Sequence, residues 1–266
     1  MKETDMEHSS STAAEGAVPA PDCAQCAAVQ RKAGTTRCWS ADPENAPAAP
    51  GSCPTQRRPD LVEETLAGYR EGEDGRLARM AARVEGLCYQ ASEDGALHAR
   101  WTRVEDTVAL ARLMGWRRIG IATCIGLLEE TARLEEILRA QGLEPVSICC
   151  KVGSIDKVRL GIPDGEKVRP GTFEPACNPV AQAKLLNASA TDMNVIVGLC
   201  VGHDMLFARH SQAPVTTLVA KDRVTGHNPV AALYGQNFYY RRLTKTRMVL
   251  PEELPPRPER DGGGER

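Results

Sequence analysis

The chain has 266 residues, 42% hydrophobic and only 4% aromatic, with a formal charge of −2 at neutral pH. That length supports one or two domains with a proper core, and the near-neutral charge gives no electrostatic reason to expect nucleic acid or an anionic membrane as a partner. No apolar run approaches the roughly 20 residues that span a bilayer. The opening "MKETDMEHSSSTAAEG" lacks the charged-then-apolar layout of a signal peptide, so a cytoplasmic protein is expected.

Residues 1–21 are polar and Ala/Pro-rich and are predicted to be disordered, as is the tail 251–266, "PEELPPRPERDGGGER". Residues 22–59 hold Cys23, Cys26, Cys38 and Cys53 among prolines and glycines, with no periodicity that would give a core. The Cys-x2-Cys pair, followed by two distant cysteines, matches four thiolates around one metal, and zinc and an iron–sulfur cluster fit that set equally. A flexible thiol-bearing arm is the alternative. Helical spacing then covers "DLVEETLAGY", "RLARMAARVEGLCYQA" and "TRVEDTVALARLMGW", the last with a capping box between Thr102 and Glu105.

From Arg118 strands and helices alternate. "RIGIATC", "EPVSICC", "NVIVGLC" and "PVTTLVA" read as strands. Between them lie helices in "LLEETARLEEILRAQG", closed by Gly142, "NPVAQAKLLNASA", opened by Pro179, and "GHDMLFARHS". Runs apolar on both faces, separated by helices, indicate α/β architecture. The expected fold is an open, mainly parallel Rossmann-like sheet with helices on both faces, covering residues 60–250 with its helical lead-in and preceded by the small metal-stapled module.

In such sheets ligands bind beyond the carboxyl ends of the strands. The first predicted strand runs into Cys124, the second into Cys149-Cys150, the third into Cys200 and the fourth into Lys221-Asp222, and Cys177 lies in a loop before a helix. Any one cysteine could simply be packed as a small hydrophobe. Recurrence at equivalent strand ends points instead to a shared site of Cys124, Cys150, Cys177 and Cys200, with Cys149 turned into the core by strand alternation. His203 and Asp204 follow Cys200 at a helix start, where a neutral imidazole is favoured. With Lys221 and Asp222 they are the candidate catalytic or substrate-facing groups. Asp204 could equally cap its helix, and His227 and Asn228 could reach the crevice or be ordinary loop polar groups. Phosphate-loop, Gly-x-Gly-x-x-Gly, His-Glu-x-x-His and Gly-x-Ser-x-Gly motifs are absent.

The blocks "GIATCIGL", "CCKVG", "CNPVAQAKLLN", "NVIVGLCVGHDMLF" and "APVTTLVAKDRVTGHNP", with the early Cys-x2-Cys, resemble a family of uncharacterised cysteine-rich prokaryotic proteins, a domain of unknown function to which metal binding is ascribed. The likeness spans roughly residues 22–240. It implies a cytoplasmic metal-binding protein and names no reaction. Cys23, Cys26, Cys38 and Cys53 match at the front, and Cys124, Cys150, Cys177 and Cys200 in the α/β part. Three functions are thereby expected in competition. The first is an iron–sulfur or zinc protein with a redox role, meeting a small molecule or an electron-transfer partner at the rim. The second is a non-catalytic zinc-stapled module that binds a small molecule. The third is a metal-independent thiol enzyme using Cys200, whose acidity a helix N-terminus would raise.

Overall fold

The computed structural model describes residues 20–25, 51–248 and 250. Cys26 and Cys38, and the segments 1–19 and 251–266 expected to be disordered, lie outside the described residues. The chain divides into two compact units, Met1–Arg79 and Met80–Arg266. Within the first, a short helix α1 (Pro54–Arg57) leads into α2 (Pro59–Arg70), each opened by a proline in its first turn, and Arg58 pairs with Asp60 at 2.7 Å. No helix among the described residues is long and apolar enough to cross a membrane.

Helix α3 (Gly72–Cys88) runs into a small antiparallel hairpin, β1 (Tyr89–Ala91) and β2 (Leu97–Ala99). The helical periodicity continues on paper through Ala91, but the turn at Asp94-Gly95, with Gly95 at φ 82°, folds Tyr89–Ala91 back as a strand. Helix α4 (Arg103–Met114) starts at the predicted capping box between Thr102 and Glu105 and stops at Gly115 in the left-handed conformation.

The core is a four-stranded parallel sheet of β3 (Arg118–Thr123), β4 (Glu144–Cys149), β5 (Met193–Val197) and β6 (Val215–Val219), in the order β4-β3-β5-β6. The two central strands are the continuous apolar runs: every residue from Ile119 to Thr123 and from Met193 to Val197 is buried. The edge strands are half-buried, and an irregularity at Ile196/Val197 leaves Leu218 of β6 without a partner in the ladder. Helix α5 (Leu128–Ala140) buries Thr131, Leu134 and Leu138, three- and four-residue steps along one face. Helix α6 (Pro179–Ala188) is capped by the Asn178 side chain, which accepts from the Ala181 N–H at 3.0 Å, and α7 (His203–His210) buries Phe207.

Chain direction fixes where the site can be. From β3 the chain moves outward through α5 to β4. It then returns through α6 to β5 on the other flank of β3, and continues through α7 to β6. Right-handed crossovers in opposite directions place α5 on one face and α6 and α7 on the other, and α6 and α7 pack against each other. The switch point falls between β3 and β5, beyond Thr123 and Val197.

The β3–β5 pairing has one exacting contact. Asn194 is fully buried, accepts from the Thr191 hydroxyl at 2.8 Å and donates to the Ser211 hydroxyl at 2.8 Å. Its side chain occupies the space a Cβ at Gly120 would fill, and Gly120 is its register partner. Gly120→Ala should therefore cost about 2 kcal/mol by overpacking around a fixed polar network. Urea unfolding should show a lower midpoint at unchanged slope.

Candidate thiolate site at the sheet rim

Four cysteines reach the switch point, each by a different route. Cys124 directly follows β3, and its N–H still bonds across the sheet to the Val197 carbonyl at 3.0 Å. Cys150 directly follows β4 and bonds to the Thr123 carbonyl at 2.7 Å, while its Sγ accepts the Ile125 N–H at 3.3 Å. Both are buried. Cys149, one residue earlier, is half-buried and packs against the core, in keeping with strand alternation. Cys177 comes from the long loop after β4, tied to the rim by the Asn178 N–H on the Cys150 carbonyl at 2.7 Å.

Cys200 arrives by a turn. The strand ends at Val197, three residues short of the predicted end at the thiol, because Gly198 adopts φ +72°. A Cβ there would overlap Leu127 Cδ1, so conformation and space both demand glycine. The Cys200 carbonyl accepts the N–H groups of His203 and Asp204, and its Sγ receives Arg223 Nη2 at 3.2 Å.

The thiols share one electrostatic neighbourhood. Cys177 is lowered to about 5, first by the hydrogen bond from Cys150 and then, against the cost of burial, by the nearby Lys151 and His203. Cys150 is pushed far upward by that same bond and by burial, with the charges of Cys177 and Cys124 adding to the effect. The state at neutral pH is thus a Cys150 thiol donating to a Cys177 thiolate. Arg223 is raised above its usual range, first by its bond to Cys200, with further contributions from Cys124 and Cys177.

The polar candidates divide. His203 opens α7 and acts on Cys177 through charge. Asp204 accepts the Met205 N–H at 2.8 Å, a local bond that keeps it within its helix start. Asp222 accepts the Val224 and Thr225 N–H groups, and its own N–H bonds to His227 Nδ1 at 3.1 Å. Helix α8 (Val230–Tyr234) begins after Pro229, with no side-chain cap. Lys221 reaches the rim. Arg223 and Lys151 were not singled out in the sequence, although each sits within two residues of one that was. Of the amino-terminal four, Cys23 is exposed and Cys53 half-buried. Among the described residues no group of three or more His, Cys, Asp or Glu side chains is arranged to hold a metal ion as it stands.

A model of a protein family of unknown function, DUF1847, matches residues 53–218. The chain belongs to that family. The match takes in the whole sheet but for Val219, together with Cys124, Cys150, Cys177 and Cys200. It starts at Cys53, so Cys23, Cys26 and Cys38 precede it, and the matched range is shorter than the 22–240 suggested by the motifs. A relative in Methanocaldococcus jannaschii, the uncharacterized protein MJ0455, is 39% identical over 184 residues, covering 69% of this chain and 88% of its own. Neither name carries a reaction, so the chemistry of this DUF1847 protein has to be argued from its residues.

The loop that presents Cys177 is pinned by a buried lysine. Lys167 is 3% exposed and bonds Asp156 at 2.9 Å, Asp164 at 3.0 Å and the Thr172 carbonyl at 2.9 Å, while Lys157 pairs with Glu174 nearby. Both aspartates are held below the usual carboxylate range, Asp156 first by Lys167 and Asp164 first by the Gly171 N–H and then by Lys167. Depressed carboxylates stabilise the fold above their unfolded value of about 4, and that contribution is lost as pH falls through the lower folded values. Lys167→Met should lower the melting temperature at neutral pH and flatten the loss of stability on acidification, read by thermal melts across acid pH. At the thiols, iodoacetamide labelling of Cys177 in metal-free protein should be half-maximal near pH about 5, against about 8.5 for an ordinary thiol. Cys150→Ala should move that midpoint upward.

Proposed function

We propose that the rim is a thiolate site that takes up an iron–sulfur cluster, or zinc as the alternative metal, through Cys124, Cys150, Cys177 and Cys200. One observation carries the reading: two strand ends, a glycine turn and a pinned loop bring four thiols into mutual electrostatic contact at the sheet's switch point. The donor set suits a soft metal. Arg223 and Lys151 would offset the negative charge of the thiolates, and the Ile125 N–H on Cys150 is a backbone bond to sulfur of the kind that tunes clusters. The shared proton between Cys150 and Cys177 is the feature that metal must displace, so uptake should strengthen as pH rises. A bound cluster would supply one-electron transfer to an electron-transfer partner or small molecule in the crevice, whereas zinc would supply charge and rigidity.

The test is a visible spectrum with elemental analysis on protein purified without oxygen. Brown protein with iron and sulfide, bleached on reduction and lost in Cys150→Ser and Cys200→Ser, is the expected result. Colourless protein whose zinc disappears in those variants keeps the site and changes the metal. Metal retained in both rim variants and lost in Cys26→Ser would confine it to the amino-terminal cysteines and overturn the reading.

A second reading has its own observation, the Cys150 thiol hydrogen-bonded to the Cys177 thiolate. In a metal-free protein that pair would act as a dithiol, with Cys177 rather than Cys200 as the nucleophile and Cys150 resolving the mixed disulfide. Stoichiometric loss of these two thiols on titration with oxidised glutathione, in protein that binds no metal, would select it.

A further inference from the structure

Three cations stand at the rim, and two are already engaged. Arg223 bonds Cys200 Sγ at 3.2 Å. Lys151 bonds the Pro175 carbonyl at 2.6 Å and favours the Cys177 thiolate. Lys221 is different. Its stem passes over Gly198, with Cδ 3.7 Å from where a Cβ would stand, and its ammonium ends over Gly126, 3.5 Å from the corresponding Cβ position. The side chain therefore runs from the end of β6 across the end of β5 to the turn after β3, over the switch point itself. Gly126 lies two residues after Cys124, and Gly198 two before Cys200.

No carboxylate neutralises that ammonium. The adjoining Asp222 accepts the Val224 and Thr225 N–H groups, and Asp204 accepts the Met205 N–H. Among the described residues no ion pair involves Lys221. A half-buried cation laid across the ligand-binding edge of an α/β sheet, in a crevice whose two carboxylates are spent on their own loops, selects for negative charge in what binds there. A lysine acts as a point charge on an oxyanion rather than as a planar fork.

We infer that Lys221 is the anchor of a subsite for a small oxyanion ligand, a carboxylate or phosphate group, held at the switch point beside the thiols. The inference rests on the rim being a ligand site and does not require that the site hold metal.

The thiols themselves report on it. Iodoacetate and iodoacetamide are alike in size and differ in charge, so the ratio of their rates at Cys177 and Cys200, followed by mass spectrometry in metal-free protein, measures the local preference for an anion. In the wild type that ratio should exceed the ratio for 2-mercaptoethanol in the same solution. It should fall roughly fivefold in Lys221→Gln and be retained in Lys221→Arg, with thermal melts showing both variants folded. Arg223 is unchanged throughout, so the difference isolates Lys221. Added inorganic phosphate or acetate should slow the iodoacetate reaction in the wild type and not in Lys221→Gln. Protection by phosphate alone assigns a phosphate ligand, and protection by acetate alone a carboxylate. An unchanged ratio in Lys221→Gln, or protection by neither anion, overturns the inference. Protein that carries no metal when purified would sink the metal reading and leave this ratio as informative as before.

Discussion

The pairing of β3 with β5 is the constraint on which the rest of the molecule depends. These two strands are neighbours in the sheet but far apart in sequence, and the chain leaves one to the left and the other to the right. Their register is set where the Asn194 side chain passes over Gly120. A slip of one residue would turn the apolar faces of both strands outward. It would also separate the Cys124 N–H from the Val197 carbonyl, the bond that carries the ladder to the first thiol. The chemistry at the rim and the packing of the core are therefore secured by one contact.

At the rim the physical problem is charge. Four sulfurs near one another in a partly dry place cannot all ionise cheaply, and the chain meets this in two ways. Cys150, the most buried, keeps its proton and uses it to stabilise the Cys177 thiolate. Cys200, less buried, has a guanidinium placed on it. The metal-free state is thus a network of compensated charges, and any metal that enters must be worth more to the thiolates than the proton and cations already there.

Much of this could be read in the amino acids. The continuous apolar runs at 119–123 and 193–197 announced buried parallel strands, and the Thr102–Glu105 capping box and Pro179 placed helix starts that the structure reproduces. Strand alternation separated Cys149 from Cys150 correctly in facing, although Cys150 proves the more buried of the two. The hairpin at 89–99 was hidden because Tyr89–Ala91 continues a helical spacing, even though Asp94-Gly95 is a turn signal. The pinning of the Cys177 loop was hidden for a different reason. A buried lysine leaves no periodic trace, and Lys167 meets Asp156 and Asp164 only after a loop without regular spacing has closed. Arg223 and Lys151 were overlooked beside more conspicuous neighbours. The grouping of Cys23 with Cys26, Cys38 and Cys53 falls largely on residues outside those described.

The unpaired Leu218 in the edge strand has an evolutionary consequence. Side chains alternate along a strand, so one extra residue exchanges the sides for everything after it. Removing a single codon there would swing the segment 219–222 through half a turn and carry the Lys221 ammonium away from Gly126, with every cysteine left in place. A lineage could in this way change what its crevice admits by altering the length of one edge strand, without touching the sulfurs.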